Sequence, residues 1–338
     1  MYIILAILAF SVLIIVHELG HFILAKLNGV KVEEFSIGMG PKIFGIKSGE
    51  TEYCLKALPI GGYVKMLGEG DEDQVDDPRA LSNKSPLQRI SIMAAGAFMN
   101  ILLAIICFAV FISQTGLTLN TVKDVMPNSP AQQAGIKAGD EILAVNNTKV
   151  LTNSDLSIGV NEAKGKAVEI KFKSGNDVKQ TSITPMKNEN GAYLIGILNT
   201  HIEKPTVIQS LKGSVNESIS MIKQTFHALK TIITGKANLK TDVGGPVTIV
   251  RMSGKIAQAG IVPLLWFTAF LSMQLAVFNL LPIPALDGGW IVIVLIELIT
   301  RRKVPDKVTN FLNTLGFAML MGLMLLVTLK DIIFPMKF

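Results

Sequence analysis

Four long apolar stretches divide the chain. The first runs from Tyr2 to Ala25 and the second from about Ile90 to Ile112. The third begins near Ile261, breaks at Asn279-Leu-Leu-Pro282-Ile-Pro284 and resumes as Trp290 to Ile299; the fourth spans about Val308 to Leu329. A helix of about 20 apolar residues crosses the hydrocarbon core of a bilayer. The pattern therefore predicts four membrane-spanning segments. No charged side chain lies between Met1 and Val16, between Arg89 and Lys123, or between Lys307 and Lys330, and Asp287 is the only one between Lys255 and Glu297.

The intervening stretches have other periods. From Phe35 to Met66, alternation punctuated by Gly38, Gly40, Gly45, Gly49, Gly61 and Gly62 predicts β-hairpins. From Val122, a short strand, a helical turn opened at Ser129-Pro130 and a tight turn at Gly139-Asp140 lead into a strand at Glu141 to Val145. Ala167 to Phe172 and Lys179 to Ile183 alternate as paired strands across Ser174-Gly175-Asn176-Asp177. A compact, mostly β domain over 115–200 follows. From Pro205 to Gly235 the apolar residues recur at three- and four-residue steps, which predicts amphipathic helix within a linker over 203–258. The remaining segments are a first span over 1–27, a hairpin-bearing loop over 28–88, a second span over 89–113, a third segment over 260–300 and a fourth span over 308–330. The fold class expected is a multi-pass α-helical membrane protein with membrane-associated β-hairpins and an inserted β domain.

Composition sharpens this picture. Of 338 residues only 17% are charged, against about 25% in soluble domains, and the mean hydropathy is +0.46. These values exclude a disordered chain and a single soluble globule. The net charge of +6 does not signal a nucleic-acid partner, because the basic residues are scattered apart from Arg301-Arg302-Lys303. Short basic loops beside membrane helices face the cytoplasm. Loop 301–307, with four Lys/Arg, is therefore expected inside, with 28–88 on the same side and the β domain outside. Two cysteines, Cys54 and Cys107, are too few for a disulfide framework. The first segment lacks a basic start and is expected to remain as a span.

His17-Glu18-Leu19-Gly20-His21 lies at the inner end of the first span. Histidines four apart share one helical face, about 6 Å apart along the axis, so both imidazoles can reach one metal ion. Glu18, beside the first, can take a proton from an attacking water. This is the pattern of a zinc peptidase. Ionisable residues within a span are costly and mark function. Zinc needs a third protein ligand, and Asp287 is the candidate: it follows the prolines that break the third stretch, and a carboxylate there needs a cation.

His17-Glu18-Leu-Gly-His21 and Asn279-Leu-Leu-Pro-Ile-Pro-Ala-Leu286-Asp287-Gly288, bracketing an inserted domain, together resemble the site-2 protease family of intramembrane zinc metalloproteases, in the bacterial branch of the regulator-of-sigma-E protease. The resemblance implies Zn2+ held by His17, His21 and Asp287, with Glu18 as general base and Asn279 touching substrate. It implies a membrane-associated edge strand at Gly61, Gly62, Tyr63 and Val64 to pair with unwound substrate. The insert resembles a bacterial PDZ domain, which implies a possible peptide ligand or a steric filter, and Thr115-Gly116-Leu117-Thr118 is a candidate carboxylate-binding loop. The implied partners are the lipid bilayer and single-span membrane proteins, such as anti-sigma factors, or signal-peptide remnants; the implied location is the bacterial inner membrane, with the PDZ domain extracytoplasmic. One departure is Ala95-Gly96-Ala97-Phe98-Met99-Asn100, where family members often carry a proline after the glycine. Two rivals are a divalent-metal transporter and a non-catalytic PDZ scaffold with structural zinc.

Overall fold

The structure, a computed structural model, describes residues 2–69, 76–236, 238 and 243–335. The first half of the chain forms α1 (Tyr2–Leu27), β1 (Val32–Ser48), β2 (Thr51–Met66), α2 (Pro86–Thr115), β3 (Leu117–Val125), α3 (Pro130–Gln133), β4 (Glu141–Val145), β5 (Thr148–Lys149) and α4 (Asn153–Glu162). The second half forms β6 (Val168–Ser174), β7 (Asp177–Ile183), β8 (Met186–Lys187), β9 (Tyr193–Leu194), β10 (Ile197–Ile202), α5 (Val207–Ile233), α6 (Pro246–Gln258), α7 (Ile261–Asn279), α8 (Asp287–Thr300) and α9 (Asp306–Ile333). Two compact units result: residues 1–107 with 228–338, and residues 108–227.

Four helices among the described residues are long and apolar enough to cross a bilayer: Ile7–Leu27, Pro86–Thr115, Ile261–Asn279 and Lys307–Ile333. Pro282 and Pro284 cannot continue α7. The chain turns there with Ala285 at φ 72°, a left-handed conformation unusual for a residue with a Cβ. The turn is held tightly: a Cβ added at Gly288 would lie 2.2 Å from the Leu281 carbonyl oxygen. The Ala285 N–H also donates to Asn313 Oδ1 of α9 at 3.3 Å. The helix that follows starts at Asp287, three residues ahead of the apolar run that predicts it.

β1 and β2 are bent, and their register folds them into four strand segments. Residues 32–37 pair with 62–66 on one side and with 52–55 on the other, and 42–48 then pair back onto 51–56. The segment 62–66 is thus an outer strand of this small sheet. Ile43, Phe44, Ile46 and Leu58 are exposed on the far part of the hairpin.

In the second unit, β10-β3-β4-β6-β7 form one sheet, with β5 beside β4. Strict alternation in β6 buries Val168, Ile170 and Phe172 in a core shared with Val122, Ile142, Leu156 and Ile183. β3 is paired on both sides, by β10 and β4. Leu117 and Thr118, at the end of the candidate loop, pair with Ile202 and His201 of β10, which is the outer strand on that side of the sheet.

α5 inverts the expected amphipathic arrangement. Ser210, Gly213, Ser214, Ser218, Ser220 and Thr225 are buried, whereas Val207, Ile208, Leu211, Val215, Ile219 and Phe226 are exposed. The small stripe admits close packing: a Cβ at Gly213 would lie 2.9 Å from Leu117 Cδ1. Ser218 returns its hydroxyl to the Ser214 carbonyl at 2.8 Å, which satisfies it inside the helix. Asp155, in the capping box of α4, accepts from the Ser220 hydroxyl and, at 3.1 Å, from Gln224 Nε2.

Burial, and secondarily the charge of Asp155, push the Glu217 carboxyl from 4.5 up to about 7. In that window the folded chain keeps a proton that the unfolded chain has lost. Stability therefore falls as pH rises from about 4.5 to about 7. Glu217→Gln should flatten this slope and raise the thermal midpoint at pH 8 relative to the parent, read from melting curves of the detergent-solubilised chain at pH 5 and pH 8.

Candidate metal centre

HExxH falls on the inner half of α1, and its two histidines project together because i and i+4 share a face. His17 Nε2 lies 3.2 Å from His21 Nε2. Asp287, from the first turn of α8, places Oδ2 3.2 Å from His17 Nε2 and 3.5 Å from His21 Nε2. Both histidines are buried at 7% exposure. Asp287 Oδ2 is buried without a hydrogen bond of proper geometry to either ring. Each of the three residues offers one ligand atom, all within 4.8 Å of one another.

These separations suit one zinc ion. Donors about 2.0–2.1 Å from a tetrahedral ion stand about 3.4 Å apart. The observed edges are 3.2, 3.2 and 3.5 Å. With both Nε2 atoms deprotonated, three lone pairs at that spacing repel one another in an apolar setting, and a cation among them would turn the repulsion into coordination. Two imidazoles and a carboxylate also match the ligand chemistry of zinc, and three protein ligands leave a fourth position open.

The remaining sequence-predicted residues fall into two groups. Glu18 accepts a hydrogen bond from the Val64 N–H, and its Cγ would lie 3.5 Å from a Cβ added at Gly62. Asn279, the last residue of α7, holds Nδ2 3.3 Å from His17 Nε2. Gly61 packs instead against Met39, and the Tyr63 hydroxyl is bonded to Lys56 Nζ at 2.5 Å. Alternation along the strand thus turns Gly62 and Val64 toward Glu18 and commits Tyr63 elsewhere. His201 contacts Thr118 Oγ1 and His227 pairs with Glu162, so neither joins the cluster.

Two features of α2 were not visible in the pattern. The His21 Nδ1 atom lies 2.8 Å from the Ile92 carbonyl oxygen. Gly96 leaves room for both rings: a Cβ there would lie 2.5 Å from His21 Nε2 and 2.6 Å from His17 Cε1. The matching small residue on α1 is Gly20, whose added Cβ would lie 2.4 Å from the Ala95 carbonyl oxygen. Small residues let membrane helices approach closely. Gly96→Ala should leave the chain helical and inserted, yet displace a candidate ligand ring. We expect zinc affinity to fall at least about tenfold, measured by chelator competition on the purified protein.

The family model for peptidase family M50 matches residues 5–323. The chain belongs to peptidase family M50. A Clostridium perfringens protein provisionally named as a zinc metalloprotease is 59% identical over 335 residues, covering 99% of each chain. A Clostridium acetobutylicum protein named in the same way is 50% identical over 337 residues, covering 99% of this chain and 98% of its own. In Enterococcus faecalis a protein provisionally named as the protease eep is 30% identical over 412 residues, covering 96% of this peptidase and 97% of its own length. A PDZ domain of an SdrC-like protein from Listeria innocua is 31% identical, covers 25% of this peptidase and 94% of that domain, and has a TM-score of 0.23. The peptidase is a zinc enzyme embedded in the membrane by apolar helices, with a β-rich region. The transporter and scaffold readings give way to this assignment.

Proposed function

We propose that the peptidase cuts single-span membrane proteins, or signal-peptide remnants, within their membrane-embedded segments, using His17, His21 and Asp287 as zinc ligands and Glu18 as general base. The carrying observation is the convergence of three candidate ligand atoms beside Glu18, all drawn from predominantly apolar helices. Zinc held by His17, His21 and Asp287 would supply Lewis acidity toward a water and the scissile carbonyl. Glu18 takes the proton from that water and delivers it to the leaving amine. Asn279 offers an amide N–H to the oxygen that becomes negative as the carbonyl is attacked.

A helical substrate hides its peptide bonds in its own hydrogen bonds, and unpaired backbone is expensive in lipid. The strand at 61–66 is suited to receive such a segment as an added strand once it unwinds. Gly62 and Val64 place that strand against the general base. The basic loop at 301–307 puts the hairpin region on the cytoplasmic side and the PDZ-like region outside a bacterial inner membrane. The unpaired edge of β10 is the place where the PDZ-like region would take a peptide ligand.

The test is cleavage of a tagged single-span substrate co-reconstituted in liposomes, with product masses locating the cut. A cut inside the span supports the proposal. Products that arise only from the water-exposed ends, or no products with zinc bound, overturn it.

A further inference from the structure

We infer that Asn100 is the positioning residue for His17: its side-chain amide accepts the Nδ1 proton and so keeps Nε2 free to bind the metal. The inference rests on His17 being a zinc ligand and adds a requirement which that reading does not contain.

Asn100 lies on α2 with 0% exposure, inside a run of 33 residues without a charge. Its backbone is fixed, since the Ser272 hydroxyl of α7 donates to the Asn100 carbonyl at 2.8 Å. As placed in the structure, Asn100 Nδ2 lies 3.2 Å from His17 Nδ1. The other ring nitrogen, Nε2, faces Asp287 and His21. Asn100 therefore touches the side of the ring that points away from the ligand cluster.

Proton counting then decides the orientation. A neutral imidazole carries one N–H. His21 is fixed by a backbone carbonyl, which can only accept; its proton is on Nδ1 and its Nε2 is a lone pair. For His17 the neighbour is an amide, whose two ends exchange by a half-turn and are assigned from the network around them. With Nδ2 toward Nδ1, the His17 proton must sit on Nε2, where it blocks coordination. In that orientation Asn100 Oδ1 is also a buried acceptor with no partner. With Oδ1 toward Nδ1, the ring donates to the amide and Nε2 presents its lone pair to the cluster. Only this second orientation serves a ligand. Metal-bound histidines generally donate their other N–H to such an acceptor, which fixes the ring and raises its basicity.

Four histidines make the test tractable. The zinc-loaded full chain, labelled with 15N-histidine in detergent, should show His17 protonated at Nδ1. Asn100→Leu, similar in volume but with nothing to accept a proton, should weaken zinc binding about 10–100-fold in chelator competition. Asn100→Asp, which keeps an acceptor, should stay within a few-fold of the parent. If Leu packs as well as Asn and zinc affinity is unchanged, or if zinc-loaded His17 carries its proton on Nε2, the assignment is wrong. Should Asn100→Leu fail to fold, the parent spectrum and the Asp variant still decide. His17→Ala separates the two claims: if it leaves zinc affinity unchanged, the ligand reading itself has failed, independently of Asn100.

Discussion

Glu18→Gln is expected to reduce cleavage of a membrane-embedded substrate by about 10²–10⁴-fold, the contribution of a positioned general base, while the variant retains zinc at the parent's stoichiometry. The amide is isosteric with the carboxylate. Its oxygen can still accept from the Val64 N–H, so the strand beside it keeps its place. What is lost is the lone pair that accepts the water's proton. In the proposed site the ligand atoms are those of His17, His21 and Asp287, so the substitution gives the metal no reason to leave. Zinc content and product yield should be measured on the same preparation. Parent-like cleavage would mean that another group takes the proton; loss of zinc would mean that Glu18 supports the metal rather than the water.

The candidate ligand set was legible for a physical reason. Ionisable groups in lipid are expensive, so His17, His21 and Asp287 stand out against an uncharged background however far apart they lie in the chain. Proline chemistry likewise exposes the break before Asp287. Other features depend on neighbours that periodicity does not reveal. Asn100 carries no charge and interrupts no period, and its meaning comes only from the ring beside it. Gly96 reads as an ordinary small residue until α1 is laid across it. Alternation announces strands at 35–66 but not that 62–66 becomes an outer one, because strand order is set by which segments pair. α5 has the expected helical period, yet its serines and glycine are buried while Val207, Ile208, Leu211, Val215 and Ile219 are exposed. A period identifies a face without saying which solvent it meets.

Asp287→Ala should cost both metal and activity, with zinc affinity falling by more than about 100-fold, since a direct ligand outweighs the outer partners that are worth about 10–100-fold. Alanine removes the only charged ligand and leaves two neutral imidazoles, one short of the three that a catalytic zinc site uses. Moving the carboxylate should do little better. In Asp287→Glu the longer side chain must retract, but the backbone cannot yield, because Gly288 is already packed against the Leu281 carbonyl and the α7–α8 turn is braced by Asn313. Groups that act as one unit are non-additive. His17→Ala and Asp287→Ala together should therefore be scarcely worse than either alone. An additive double variant, or an Asp287→Ala chain that holds zinc as tightly as the parent, would show that the carboxylate serves the helix start and not the metal.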